Sequence, residues 1–70
     1  MPPLKWTDAD EIGFLLHEAH RDAAPLSVPF ERLRELVLAL EGFADDPGGS
    51  SEPALEAIQM AWLAHSRDDE

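Results

Sequence analysis

The sequence predicts an all-α, helix-dominated, compact three-helix domain, and three observations lead there. Three segments carry apolar residues at the i, i+3, i+4, i+7 spacing of one helix face. Runs rich in Gly, Pro and small polar residues separate them. A length of 70 residues suits one domain with a thin core. That domain is assigned to residues 1–66, and residues 67–70 are expected to form a frayed acidic tail.

The first helix is expected to open at Thr7 or Asp8. Thr7 with Asp10, or Asp8 with Glu11, has the cap-to-third-residue spacing of a capping box. Acids in the first turn also suit the positive end of the helix dipole. Its apolar stripe reads Ile12, Leu15, Leu16 and Ala19, and the helix is expected to end near Arg21. The stretch from Leu26 to Pro29 should be extended, because a proline biases the residue before it away from helical angles.

The second helix carries Phe30, Leu33, Leu36, Val37 and Leu40 on one face, with Gly42 as its C-terminal stop. Asp45-Asp46-Pro47-Gly48-Gly49-Ser50 then reads as a turn-rich, mobile loop. Ser50 or Ser51 should cap the third helix, with Pro53 tolerated in its first turn, where no amide partner is missed. Leu55, Ile58 and Trp62 line the inner face of that helix, while Met60 and Leu63 face away.

Charge bounds the function. Fifteen acids against five bases give a formal net charge of −10. A field of that sign repels nucleic acid and anionic membrane surfaces and attracts cations and basic protein patches. The plainer use of such charge is solubility. There is no long apolar run and no basic-then-apolar leader, so a cytoplasmic protein is expected. With no cysteine, neither disulfides nor thiolate metal sites are available.

No catalytic constellation is visible, so the chain is not expected to be an enzyme: it lacks a cysteine nucleophile, a Gly-x-Ser-x-Gly elbow and a Gly-rich phosphate loop. His17 and His20 are three residues apart rather than the four of the zinc-protease signature, and read as solvated surface residues. Carboxylates are better metal candidates. Asp8 and Glu11 lie on adjacent turns, Glu18 stands seven residues beyond Glu11, and Asp45 and Asp46 cluster in the loop. Loose clusters of exposed carboxylates make weak, exchangeable sites for iron, ferrous or ferric. The structural alternative gives the same acids to caps, turns and solvent.

Phe14 falls off the first helix's apolar stripe, between Asp10 and Glu18. A large ring among acids suits an interface anchor; its other use is packing against the Pro2-Pro3-Leu4 arm. Trp62 reads as core. Trp6 precedes the first cap and reads as the apolar half of a hydrophobic staple near Ile12, with a contact role as the alternative.

Two segments carry a family resemblance. One is Leu4-Lys5-Trp6-Thr7-Asp8 with Glu11-Ile12-Gly13. The other is Phe43-Ala44-Asp45-Asp46-Pro47, followed by Leu55-Glu56-Ala57-Ile58-Gln59 and Ala61-Trp62-Leu63. In order and spacing, from Leu4 to Leu63, they resemble the IscX family of small acidic accessory proteins of iron–sulfur-cluster assembly. The resemblance implies a winged-helix-like arrangement with the Asp45-to-Ser50 loop as its wing. It also implies weak iron binding through exposed acids and docking on cysteine desulfurase. The positions it carries over are Trp6, Asp8, Glu11, Asp45 and Asp46. His17 and His20 stand where the family pattern has aromatics, so no family metal role passes to them.

The reading is therefore a monomeric, non-enzymatic acidic adaptor. Its partner contacts are Trp6, Asp8, Glu11, Phe14, Asp45 and Asp46, and its iron-binding acids are Asp8, Glu11, Glu18, Asp45 and Asp46. The alternative is an iron carrier that delivers to the assembly scaffold protein. A third reading is a decoy whose acids mimic DNA phosphates, and failure to compete with DNA for any basic protein would remove it.

Overall fold

In the computed structural model, which describes residues 3–68, the chain forms three helices joined by short turns. They are α1 (Ala9–Ala19), α2 (Phe30–Leu38) and α3 (Glu52–Asp68). Single 3₁₀ turns at Pro25–Ser27 and Pro47–Gly49 precede α2 and α3. The described residues contain no β-strand, only one isolated parallel bridge between Leu4 and Phe43. The expected wing is thus a loop closed by a 3₁₀ turn, without the paired strands of a wing. The Asp45-to-Ser50 segment favours this, because Pro47 has no amide to give a ladder and Gly48 and Gly49 add no side chains to pack one.

The core is one cluster of Trp6, Ile12, Leu16, Leu33, Val37, Leu55, Ile58 and Trp62. It therefore draws on all three helices and on the N-terminal arm. Alpha helices 2 and 3 bury the stripes that their spacing predicts: Leu33 and Val37 from one, Leu55, Ile58 and Trp62 from the other. The indole nitrogen of Trp62 has no hydrogen-bond partner among the described residues, so that ring contributes by packing.

Helix α1 departs from its expected stripe. Ile12 and Leu16 are buried, but Leu15 is half-buried and Ala19 exposed, while Gly13 and His17 are buried. The inward face runs through Ile12, Gly13, Leu16 and His17, an i, i+1, i+4, i+5 pattern. Gly13 explains the rotation, because α3 crosses α1 at that residue. A Cβ placed there would stand 2.6 Å from the Trp62 amide nitrogen and 2.7 Å from the Ala61 Cβ. A residue without a side chain lets the two backbones approach, and that crossing carries His17 inward instead of leaving it solvated.

The helix ends also differ in detail. Asp8 is the residue before α1, but its side chain makes no capping bond and α1 forms no capping box. Its Oδ2 instead accepts the Lys5 amide at 2.9 Å, closing the turn that leads into the helix. Leu26 and Ser27 sit in a 3₁₀ turn rather than an extended strand, while Val28, before Pro29, is extended as expected. Gly42 lies beyond the end of α2 with φ at +91°, a conformation that side chains disfavour, and turns Phe43 back alongside Leu4. Ser51 Oγ accepts the Ala54 amide at 3.3 Å and so caps α3, with Pro53 in the first turn. The tail predicted to fray stays helical through Asp68; Asp69 and Glu70 lie outside the described residues.

Candidate functional site

The loop between α2 and α3 and the arm before α1 are joined by Trp6. Its indole N–H donates to the Asp46 carbonyl at 2.7 Å, and its ring packs edge-on against Phe43 with centroids 4.8 Å apart. The side chain is only 4% exposed. Trp6 is therefore a core residue that shares the cluster with Ile12, and its side chain leaves almost no surface open to solvent. From the other side Arg34, on α2, holds the same loop. Its guanidinium donates to the Pro47 carbonyl at 3.0 Å and to Ser50 Oγ at 3.0 Å. The loop expected to be mobile is tied at Asp46, Pro47 and Ser50.

This tying brings together acids that are far apart in sequence. Two consecutive amides of the arm each meet a carboxylate. The Lys5 N–H donates to Asp8, and the Trp6 N–H donates to Asp45 Oδ2 at 3.1 Å. Asp45 Oδ1 accepts the Asp46 amide at 2.7 Å, and Asp46 Oδ1 accepts the Gly48 amide at 2.9 Å. Asp8 and Asp45 thus meet at the consecutive amides of Lys5 and Trp6, with Asp46 next to Asp45 in the loop and Glu11 one turn along α1 from Asp8. Glu18 is not part of this group: it pairs with Arg21 at 2.8 Å near the other end of α1.

The Asp45 carboxyl titrates low. The Trp6 amide, then the Asp46 amide and more weakly the charge of Lys5, hold its carboxyl below the usual value of 3.8, against a small opposing cost of burial. A depressed folded-state pKa stabilises the fold above the unfolded value, and that contribution disappears as pH falls through the folded value. In thermal melts, wild type should therefore exceed Asp45→Asn by a constant margin from neutral pH down to about pH 5. The margin should close below about pH 3.8, the unfolded value. A margin independent of pH would show that the ionised carboxylate is not what those amides recognise.

As a metal site the arrangement is open. Among the described residues no three of His, Cys, Asp and Glu stand where they could share one ion. Asp45 has each oxygen on an amide, and Asp8, Asp46 and Glu18 each have a protein partner. The described acids thus form no preformed cage. Sequence reasoning passed over two residues that organise this region. Arg34 sits one residue after Leu33 and three before Val37, where a long side chain reaches over the rim of the core, and that position was its signal. His65, on α3, lies 3.1 Å from Asp10 and edge-on to Phe14, a pairing across 55 residues that local spacing does not reveal.

Comparison with known proteins identifies the family. A family model described as iron-sulphur cluster assembly matches residues 4–67. A protein of Pseudomonas aeruginosa, itself named only as uncharacterized, is 48% identical over 60 residues, covering 86% of this chain and 91% of its own length. The matched span contains the arm from Leu4, the tied loop, α1, α2 and all but the last residue of α3. The chain belongs to the IscX family of iron–sulfur cluster assembly proteins.

Proposed function

We propose that this chain is an acidic adaptor that docks on cysteine desulfurase and so modulates sulfur supply to cluster assembly. The observation that carries the reading is that Asp8 and Asp45 are held on the consecutive amides of Lys5 and Trp6, with Asp46 next to Asp45 and Glu11 one turn from Asp8, in a molecule of net charge −10. Their positions are fixed by backbone amides and by the buried Trp6, so the surface is organised before a partner arrives. A rigid anionic surface facing a basic patch gives fast, salt-sensitive association. Nothing in the reading requires a reaction at this surface, and the chain acts as a monomer in the cytoplasm.

Iron enters as cargo. Carboxylates with oxygen to spare, Glu11 and Asp8 first, take the ion weakly and release it. Neutralising them lowers the attraction for the enzyme, so iron tunes docking. The alternative is a carrier that delivers iron to the scaffold protein. It would be favoured by saturable iron binding without any partner, followed by transfer to the scaffold.

The test removes charge while leaving at position 8 an amide oxygen that can still accept the Lys5 N–H. Replacing Asp8 with Asn and Glu11 with Gln together should weaken desulfurase binding about tenfold at low salt, with much less effect near physiological salt. Affinity equal to wild type at low salt would remove these acids from the interface.

A further inference from the structure

Beside the acidic surface runs an apolar groove of about 670 Å³. Pro3 and Leu4 of the arm form one wall, and Phe14 and Leu15 of α1 form the other. The Phe14 ring is 44% exposed, and Leu4 and Leu15 are half-buried, so the floor is hydrocarbon open to water. Each ionisable group lining the groove is an acid: Asp8, Glu11 and Glu41.

We propose that this groove seats a single large apolar side chain of the partner, flanked in the partner's sequence by Lys or Arg. In its partner this rests on the adaptor reading above. Charge complementarity sets the class of occupant. A membrane surface carrying anionic lipid is repelled by the three carboxylates, and a purely apolar peptide would leave them without counter-charges. A basic segment with one apolar anchor satisfies both the hydrocarbon floor and the acidic rim. Interface energy concentrates in such buried anchors, while rim charges steer the encounter.

The groove is also held ready. His65 of α3 packs edge-on against Phe14 with centroids 5.5 Å apart and an interplanar angle of 75°. The same ring reaches Asp10 at 3.1 Å. Phe14 is thus braced from the side away from the groove, and a braced ring loses less freedom when a partner covers it. Phe14 itself stands outside the positions the resemblance carries over, and it adds apolar area where charge alone would give little residence time.

The experiment uses the full chain and needs no desulfurase, so failure of the adaptor reading and failure of the groove are separate results. The probe is a short capped peptide with Lys and Arg on both sides of one Phe. Its twin carries Ala in place of that Phe. Each is titrated into ¹⁵N-labelled protein and followed by chemical-shift changes. The expected result is saturable shifts at Leu4, Phe14, Leu15 and Gly42, with the Ala twin binding about tenfold more weakly. Phe14→Ala should lose the same factor at low and at physiological salt, since an apolar contact is not screened. Met60→Ala removes a comparably exposed apolar side chain that does not line the groove, and should change nothing. Equal binding of the twins, shifts confined to other acidic residues, or no saturable binding would each overturn the proposal.

Discussion

Gly13→Val should leave the protein largely unfolded, and Gly13→Ala should cost about 3 kcal/mol in urea denaturation. Two effects oppose each other at this position. Alanine in a helix interior is favoured over glycine by about 1 kcal/mol. Against that, the new Cβ would stand 2.6 Å from the Trp62 amide nitrogen and 2.8 Å from the Ala61 carbonyl carbon. Both are backbone atoms of α3, so no side chain can swing aside. The helices must separate instead, and separation loosens Ile12, Leu16, Ile58 and Trp62, all fully buried. Total stability for a chain of this size is about 4–10 kcal/mol, so the clash decides the sign. A midpoint unchanged or raised in Gly13→Ala would mean that α1 and α3 do not meet as closely as described.

Trp6→Ala should have an effect of similar size, about 3–5 kcal/mol, and should also release the loop. The indole fills core space, packs against Phe43, and ties Asp46 to the arm. Trp6→Phe keeps most of the volume and removes the hydrogen bond to the Asp46 carbonyl, so its cost should be nearer 1–2 kcal/mol. The pair separates packing from tethering. Urea midpoints give the stability of each, with Trp62 remaining as the fluorescence reporter. Amide hydrogen exchange at Gly48 and Gly49 reads the tether, and it should quicken in both variants. If exchange in the loop is unchanged in Trp6→Phe, the tether is carried by Arg34 and Asp45 alone.

These two residues mark the limit of local reading. The inner faces of α2 and α3 were legible because their apolar spacing is unambiguous. Ser51 as a cap and Gly42 as the turning residue were legible from short-range chemistry. The register of α1 was not, because apolar residues at Leu15 and Ala19 offered an equally good stripe. What selected the other face was a close approach at Gly13, which depends on a helix some 50 residues away. His17 was taken inward by the same crossing.

The candidate site shows the same division. Asp8, Glu11, Asp45 and Asp46 were recognisable as acids at resembling positions, but nothing local joins the first pair to the second. The link is Trp6, bonded to residues 39 and 40 positions later in the chain. Trp6 reads as a staple from its neighbours, and staple geometry is only part of what it does. Asp8 spends its carboxylate on the Lys5 amide, behind it, rather than on the helix ahead. Glu18 stays apart because it lies near the other end of α1, where it pairs with Arg21. Phe14 stands exposed as its position on the helix wheel predicts, and the brace from His65 is the part only the fold supplies.

The central claim is that a preorganised acidic surface docks on cysteine desulfurase and that iron tunes the contact. The most direct test is calorimetric titration of this protein into the enzyme at low and at physiological salt, with and without ferrous iron. The account predicts affinity on the order of micromolar at low salt, a steep fall as salt rises, and a further weakening when iron is present. Absence of binding under all four conditions would contradict the adaptor and leave iron carriage as the function to pursue.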